Sequence, residues 1–189
     1  MKRSAGQLRI IGGEYRSRLV EFEAAAGVRP TPDRVRQTVF DWLSPVIEGA
    51  HCLDLFAGSG ALGIEALSRG ATHVTFVETG ARQVDGIRTA LAKLQAPLRA
   101  TVTKVDALSY LASAPAQSFD AVFLDPPFDS ELLSPALERL PRVLKPDARI
   151  YLEWHRVGSI QLPAGYTLLR EKKAGQVSYA LASFSGDSP

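Results

Sequence analysis

From Cys52 onward the chain alternates short apolar runs with segments of helical character, and this alternation narrows the fold more than any other feature. The runs are 52–56 (CLDLF), 73–78 (HVTFVE), 99–105 (RATVTKV), 119–125 (FDAVFLD) and 148–154 (ARIYLEW), with helix-like segments near 61–69, 81–94, 107–113 and 131–140. Repeated strand and helix predict a parallel, doubly wound α/β sheet whose ligand lies beyond the carboxyl ends of the strands. Two further β-like runs, 166–173 (YTLLREKK) and 176–184 (QVSYALASF), flank Ala174 and Gly175 and predict an antiparallel hairpin at the edge of that sheet. Before Cys52, residues 8–22 read as a small hairpin around Gly12 and Gly13. Residues 29–47 read as a helix with Thr31 as cap, Pro32 in the first turn and an apolar stripe of Val35, Val39, Trp42, Leu43 and Val46. Arg34 and Arg36 fall largely off that stripe. The expected organisation is an extension over residues 1–48 and a main domain over 49–185.

Composition limits the class. At 189 residues and 46% hydrophobic content the chain can bury one sizeable core. Its apolar runs are far shorter than the roughly 18 residues that span a bilayer, and MKRSAGQ carries no apolar stretch after its charges, so a cytoplasmic protein without membrane contact is expected. Cys52 is the one cysteine, which excludes an intramolecular disulfide and a cysteine metal cluster. Net charge is only +2, but residues 1–36 hold eight Lys and Arg against four acids, while the rest hold fourteen against sixteen. A basic arm of this kind fits a nucleic-acid contact or a solvated terminus. No long hydrophobic surface helix calls for a partner, so a monomer is expected.

Gly58, Gly60 and Gly63 form G-x-G-x-x-G, and Glu78 follows the first glycine by twenty positions. A glycine turn between strand and helix brings backbone N–H groups close to a ligand. A nicotinamide dinucleotide and another adenosine-bearing cofactor both use that arrangement, and the acid suits ribose hydroxyls in either. Asp54 discriminates. A carboxylate four residues before Gly58 favours a cationic ligand without a pyrophosphate, such as S-adenosylmethionine with its ammonium and sulfonium groups, although an acid there can also cap the turn.

The second discriminator is FDAVFLDPPF, residues 119–128. Two prolines remove two backbone donors, leaving a rigid turn whose carbonyls and Asp125 are all acceptors. That surface suits a planar exocyclic amine with two N–H donors, with Phe128 as a face for the attached ring.

Glycine loop and Asp125-Pro126-Pro127-Phe128 together resemble adenosylmethionine-dependent methyltransferases acting on nucleobase amines. The resemblance narrows with LRIIGG (8–13), RPTPDRVRQTVFDWL (29–43), CLDLFAGSGALGIEALSR (52–69), FLDPPF (123–128) and REKKAGQVSY (170–179), which look like the bacterial small-subunit ribosomal RNA guanine-N2 methyltransferase family, RsmD. It implies a Rossmann-like class I fold with a mostly parallel seven-stranded sheet and an antiparallel C-terminal hairpin. It also implies that Asp54, Phe56, Ala57, Gly58, Ser59 and Gly60 line the methionine side, that Glu78 binds ribose, and that Asp106 and Ala107 contact adenine. Asp106 can also serve as N-cap of the helix starting at Ala107. One departure is Gly80, where the family often has an acid or amide two positions after the ribose-binding Glu.

The implied reaction moves a methyl group from adenosylmethionine to N2 of guanosine 966 in 16S rRNA, leaving S-adenosylhomocysteine and needing no metal. Asp125 and the Pro126 carbonyl would accept the two amine N–H bonds and turn the nitrogen lone pair toward the methyl carbon. Asp125 is assigned positioning and charge stabilisation first, and general-base duty second. The target base must be unstacked, with Phe128 stacking on it. Arg9, Arg16, Arg18, Arg34 and Arg36 are expected to grip phosphates, and Tyr15 to stack on a base or on its own hairpin. Arg29 and Thr31 are expected either to close over the cofactor or to meet RNA. The family implies a partly or fully assembled 30S particle as substrate. Rival readings are an adenine-N6 methyltransferase, a nicotinamide oxidoreductase and an assembly factor without catalysis.

Overall fold

The computed structural model describes residues 5–23, 30–128 and 130–185. Seven strands form one sheet in the order β5-β4-β3-β6-β7-β9-β8. They are β3 (His51–Asp54), β4 (His73–Glu78), β5 (Ala100–Lys104), β6 (Phe119–Leu124), β7 (Leu144–His155), β8 (Tyr166–Ala174) and β9 (Val177–Phe184). Strands β3 to β7 pair in parallel, whereas β9 pairs antiparallel with both β7 and β8. The C-terminal hairpin thus closes the sheet with β9 inserted between β7 and β8.

The sheet forms because its central strands alternate large apolar side chains in phase and are buried on both faces. Cys52, Val74, Phe76, Ala121, Phe123 and Tyr151 point into one core, which they share with helices α1 (Asp33–Leu43), α2 (Ala61–Ser68) and α3 (Ala81–Lys93). Leu53, Val77, Val122, Leu124, Ile150 and Leu152 point into the other, under α4 (Ala107–Ser113) and α5 (Leu133–Arg139). None of the helices is long and apolar enough to cross a membrane, among the described residues.

A separate two-stranded hairpin, β1 (Ala5–Arg9) with β2 (Leu19–Glu23), lies against the first core. Glu65, fully buried in α2, fastens it: its carboxylate accepts from the backbone N–H groups of Ile11 and Gly12 at 2.9 and 2.8 Å and from Arg69 at 2.8 Å. The α1 stripe is wider than expected. Phe40 and Arg36 are both buried with Val35, Val39 and Leu43, so Arg36 does not lie off the packed face. Pro32 occupies the N-cap position and makes no side-chain cap; Thr31 turns its hydroxyl elsewhere.

Candidate active site

At the centre of the sheet the connections diverge: from β3 the chain builds outward through β4 and β5, and from β6 outward through β7. Adjacent loops there leave the sheet in opposite directions, which opens a crevice at the carboxyl ends of β3 and β6. It holds a cleft of about 770 Å³, within the range of roughly 300–1,000 Å³ usual for small-molecule sites.

The glycine loop forms one wall. Gly58 and Gly60 have φ of 54° and 78°, the left-handed region that side chains with a Cβ resist, and Gly60 caps α2. Gly63 allows α2 to lie on β4, because a Cβ there would sit 2.2 Å from the Phe76 ring. Asp54, the last residue of β3, is buried and accepts the Gly63 N–H at 3.0 Å. Burial pushes its carboxyl up to about 7; the Gly63 N–H opposes this, and the charge of Glu78 adds to it.

Glu78 ends β4. One of its oxygens accepts from Gly58 N–H and the other from Gly80 N–H, both at 2.8 Å, which ties the glycine loop to the β4–α3 turn. Each carboxylate oxygen keeps capacity for another donor, such as a ribose hydroxyl. At Gly80, the departure noted in the sequence, the backbone N–H engages Glu78 directly. Asp106 follows β5 and caps α4 by accepting Ser109 N–H at 2.9 Å; the Ser109 side chain first, and that N–H second, hold its carboxyl below the ordinary value. Asp106 and Ala107 both face the cleft, as do Phe56, Ala57 and Ser59.

The turn after β6 forms the opposite wall. Asp125 is half-buried, Pro126 buried, and Phe128 46% exposed at the mouth. The Pro127 carbonyl is occupied by the backbone N–H and hydroxyl of Ser130, at 2.9 and 2.6 Å. The Phe128 ring meets His155 edge-on, with centroids 6.0 Å apart, which keeps a ring face available. Burial and the neighbouring Glu153 and Asp54 hold the Asp125 carboxyl well above the carboxylate range.

The family described as Conserved hypothetical protein 95 matches residues 8–183. The ribosomal RNA small subunit methyltransferase D of Escherichia coli (strain K12) is 45% identical over 180 residues, covering 94% of this chain and 90% of that protein. Its namesake from Haemophilus influenzae is 43% identical, covering 93% of each. The solved structure of the Escherichia coli protein yhhF superposes with a TM-score of 0.86 at 42% identity, covering 96% of this chain and 100% of that one. This chain belongs to the ribosomal RNA small subunit methyltransferase D family.

Not every residue expected to serve such a methyltransferase reaches the cleft. Arg36 is fully buried and unavailable to phosphate. Its guanidinium meets Asp33 at 2.6 Å, Glu65 at 3.4 Å and the carbonyls of Arg9 and Thr31 at 2.9 and 3.1 Å. Tyr15 is buried too and cannot stack on a base; its hydroxyl accepts from Arg99 at 3.1 Å. Arg16 and Arg18 are exposed but remote. Arg18 reaches the carbonyl of Lys93, the last residue of the thirteen-residue α3, at 3.4 Å. That helix begins beside the cleft and rises about 1.5 Å per residue, which puts Arg18 roughly 20 Å below it. Arg9 and Arg34 are exposed, and Arg34 lies in the first turn of α1 next to Pro32, which lines the cleft. Arg29 lies outside the described residues.

One site residue was not anticipated. Glu153 in β7 is buried at the cleft wall, where it accepts the Thr31 hydroxyl at 3.1 Å and a short hydrogen bond from the Tyr151 hydroxyl. Its visible signal was an acid inside the apolar run 148–154. Thr31 therefore anchors the start of α1 to β7.

Proposed function

We propose that this protein transfers a methyl group from S-adenosylmethionine to the exocyclic N2 of guanosine 966 in 16S rRNA. The observation that carries the reading is the Asp125-Pro126-Pro127-Phe128 turn opening onto the same cleft as the glycine loop, with acceptors within and an exposed ring at the mouth.

The residues fit an adenosyl cofactor. Glu78 retains acceptor capacity beside two left-handed glycines, Asp106 and Ala107 extend the wall where adenine would lie, and buried Asp54 complements a cationic methionine end. When bound, the cofactor supplies an electrophilic methyl carbon on sulfur. The chain then orients the amine. The Asp125 carboxyl and the Pro126 carbonyl accept its N–H bonds, and Phe128 stacks on the extruded base. No step needs a metal.

Residues 49–185 carry this chemistry, and residues 1–48 supply the Thr31 side of the cleft and part of the RNA contact. Arg9 and Arg34 remain phosphate contacts in this reading, while Arg16 and Arg18 serve only if the RNA reaches the opposite end of α3. The protein acts as a cytoplasmic monomer on an assembled or partly assembled 30S particle.

The test is methyl transfer from labelled adenosylmethionine to 30S subunits lacking the modification, in parallel with naked 16S RNA and DNA, followed by nucleoside analysis. N2-methylguanosine on the particle is expected. N6-methyladenosine, or label on DNA alone, would overturn the target, and absence of adenosylmethionine binding would overturn the reaction. Asp125→Ala should abolish transfer while leaving cofactor affinity largely intact.

A further inference from the structure

Three carboxyl groups meet at the carboxyl ends of β3, β6 and β7 because the strands run parallel and alternate in phase. Cys52, Ala121, Phe123 and Tyr151 face the α1 core, so Asp54, Asp125 and Glu153, at even spacing from them, face the same way. Leu124 pairs with Leu152 in register, which makes Asp125 and Glu153 neighbours on adjoining strands, within hydrogen-bonding reach of each other. No arginine, lysine or histidine faces this pair among the described residues; Asp125 faces Glu153, Asp54 and the Thr31 hydroxyl. Glu153 faces Tyr151, Thr31 and Asp125. Tyr151 in turn packs against Tyr179 of β9.

Two carboxylates this close, with Glu153 buried and no cation beside them among the described residues, do not both ionise, so the pair holds one proton. The hydroxyls of Tyr151 and Thr31 both donate to one oxygen of Glu153. That stabilises the negative charge on Glu153 and leaves the proton on Asp125, directed at the other Glu153 oxygen. The second Asp125 oxygen is then a carbonyl acceptor free to face the cleft.

We propose that Asp125 and Glu153 form a two-carboxyl proton relay in which Glu153, which does not touch the substrate, orients Asp125 and finally receives the proton that the methylated amine releases.

The identity of the amine rests on the function proposed above; the arrangement of the carboxyls does not. As the N–C bond forms and the C–S bond breaks, the electron pair of that bond remains on sulfur and the nitrogen becomes positive. An N–H bond then breaks toward the carbonyl oxygen of Asp125, forming an O–H bond there. The original Asp125 O–H breaks toward Glu153, which gains the proton and loses its charge. The amine ends neutral, Asp125 ends protonated as it began, and the proton leaves later from Glu153 to solvent as the product departs.

The experiment compares wild type, Glu153→Gln, Glu153→Asp and Tyr151→Phe. Carboxyl carbon-13 NMR titration of the ligand-free proteins reads where the proton sits, and steady-state kinetics with adenosylmethionine and 30S subunits reads the relay. Expected is a protonated Asp125 at pH 7 in the wild type. The pair should give up its proton at lower pH in Glu153→Gln, which removes the neighbouring charge, and at higher pH in Tyr151→Phe, which removes a donor to the charged partner. In Glu153→Gln kcat should fall about a hundredfold, the low end of general acid–base contributions, with KM for the particle and affinity for adenosylmethionine unchanged; Glu153→Asp should recover part of it. An ionised Asp125 in the wild type at pH 7, or an unchanged kcat in Glu153→Gln, overturns the relay. Should Glu153→Gln fail to fold, a Tyr151→Phe titration that stays in place overturns it instead. A wild type that moves no methyl group while its pair still holds the proton would overturn the function but not the carboxyl pairing.

Discussion

Raising the pH from 6 to 8 should tighten adenosylmethionine binding about tenfold, and Asp54 is the reason. Its carboxyl is raised from 3.8 to about 7 by burial, with the Gly63 N–H holding it down and Glu78 pushing it further up. With that value about one molecule in ten carries an ionised Asp54 at pH 6 and about nine in ten at pH 8. A cationic ligand that settles against the ionised form must first displace the proton. The apparent affinity therefore follows the ionised fraction, a change of about 1.4 kcal/mol. The sign for stability runs the other way. In the ligand-free protein the folded state keeps a proton that the unfolded chain releases above pH 3.8, so stability contributed by this group declines between pH 3.8 and about 7. Calorimetric titration at pH 6, 7 and 8, in buffers of differing ionisation enthalpy, measures both affinity and protons released. About half a proton should leave per ligand bound at pH 7. Asp54→Asn keeps an oxygen for the Gly63 N–H and should flatten the dependence, which separates Asp54 from Asp125 and Glu153 in the same cleft. Equal affinity at pH 6 and 8, or an identical slope in Asp54→Asn, refutes the reasoning.

Other outcomes follow from the packing. Glu65→Ala removes one of the two carboxylates facing Arg36, which keeps Asp33, and takes the acceptor from three further donors; the buried donors left unsatisfied should cost about 1–3 kcal/mol in urea unfolding. Gly63→Ala drives a Cβ into the Phe76 ring, where the nearest atom is 2.2 Å away, and should cost about 1–3 kcal/mol together with a loss of cofactor affinity as α2 lifts from β4. Arg34→Gln should lower the salt dependence of RNA binding more than Arg16→Gln with Arg18→Gln, because only Arg34 lies beside the cleft; a larger effect from the distal pair would mean that RNA wraps the opposite end of α3.

Much of this architecture was legible because its signals are local. The run 73–78 became β4 residue for residue, and Ala107–Ser113 became α4 capped by Asp106, since strand alternation and capping depend on neighbours in sequence. The glycine loop and the turn at Asp125 were legible for the same reason. What escaped depends on which strand lies beside which. Arg36 reads as a surface cation on its own helix and becomes a buried one only because Glu65, twenty-nine residues later, is delivered opposite it. Glu153 reads as one acid in an apolar strand, and gains a role only through the register that sets β7 beside β6 and the start of α1 against both. Tyr15 was misplaced likewise: an aromatic in a turn looks available until Ser68 and Arg99 close over it.

All eight residues of α2 are buried, including Glu65, Ser68 and Gly63. A helix with no solvent face has no position at which substitutions are free. In a saturation-mutagenesis map of this enzyme, residues 61–68 would form a block of intolerance as deep as the Asp125–Phe128 turn, although only the start of the helix lines the cleft. Variant libraries meant to retune substrate choice gain nothing there; losses in that block report a lattice of contacts, and the informative diversity lies around Phe128 and the first turn of α1.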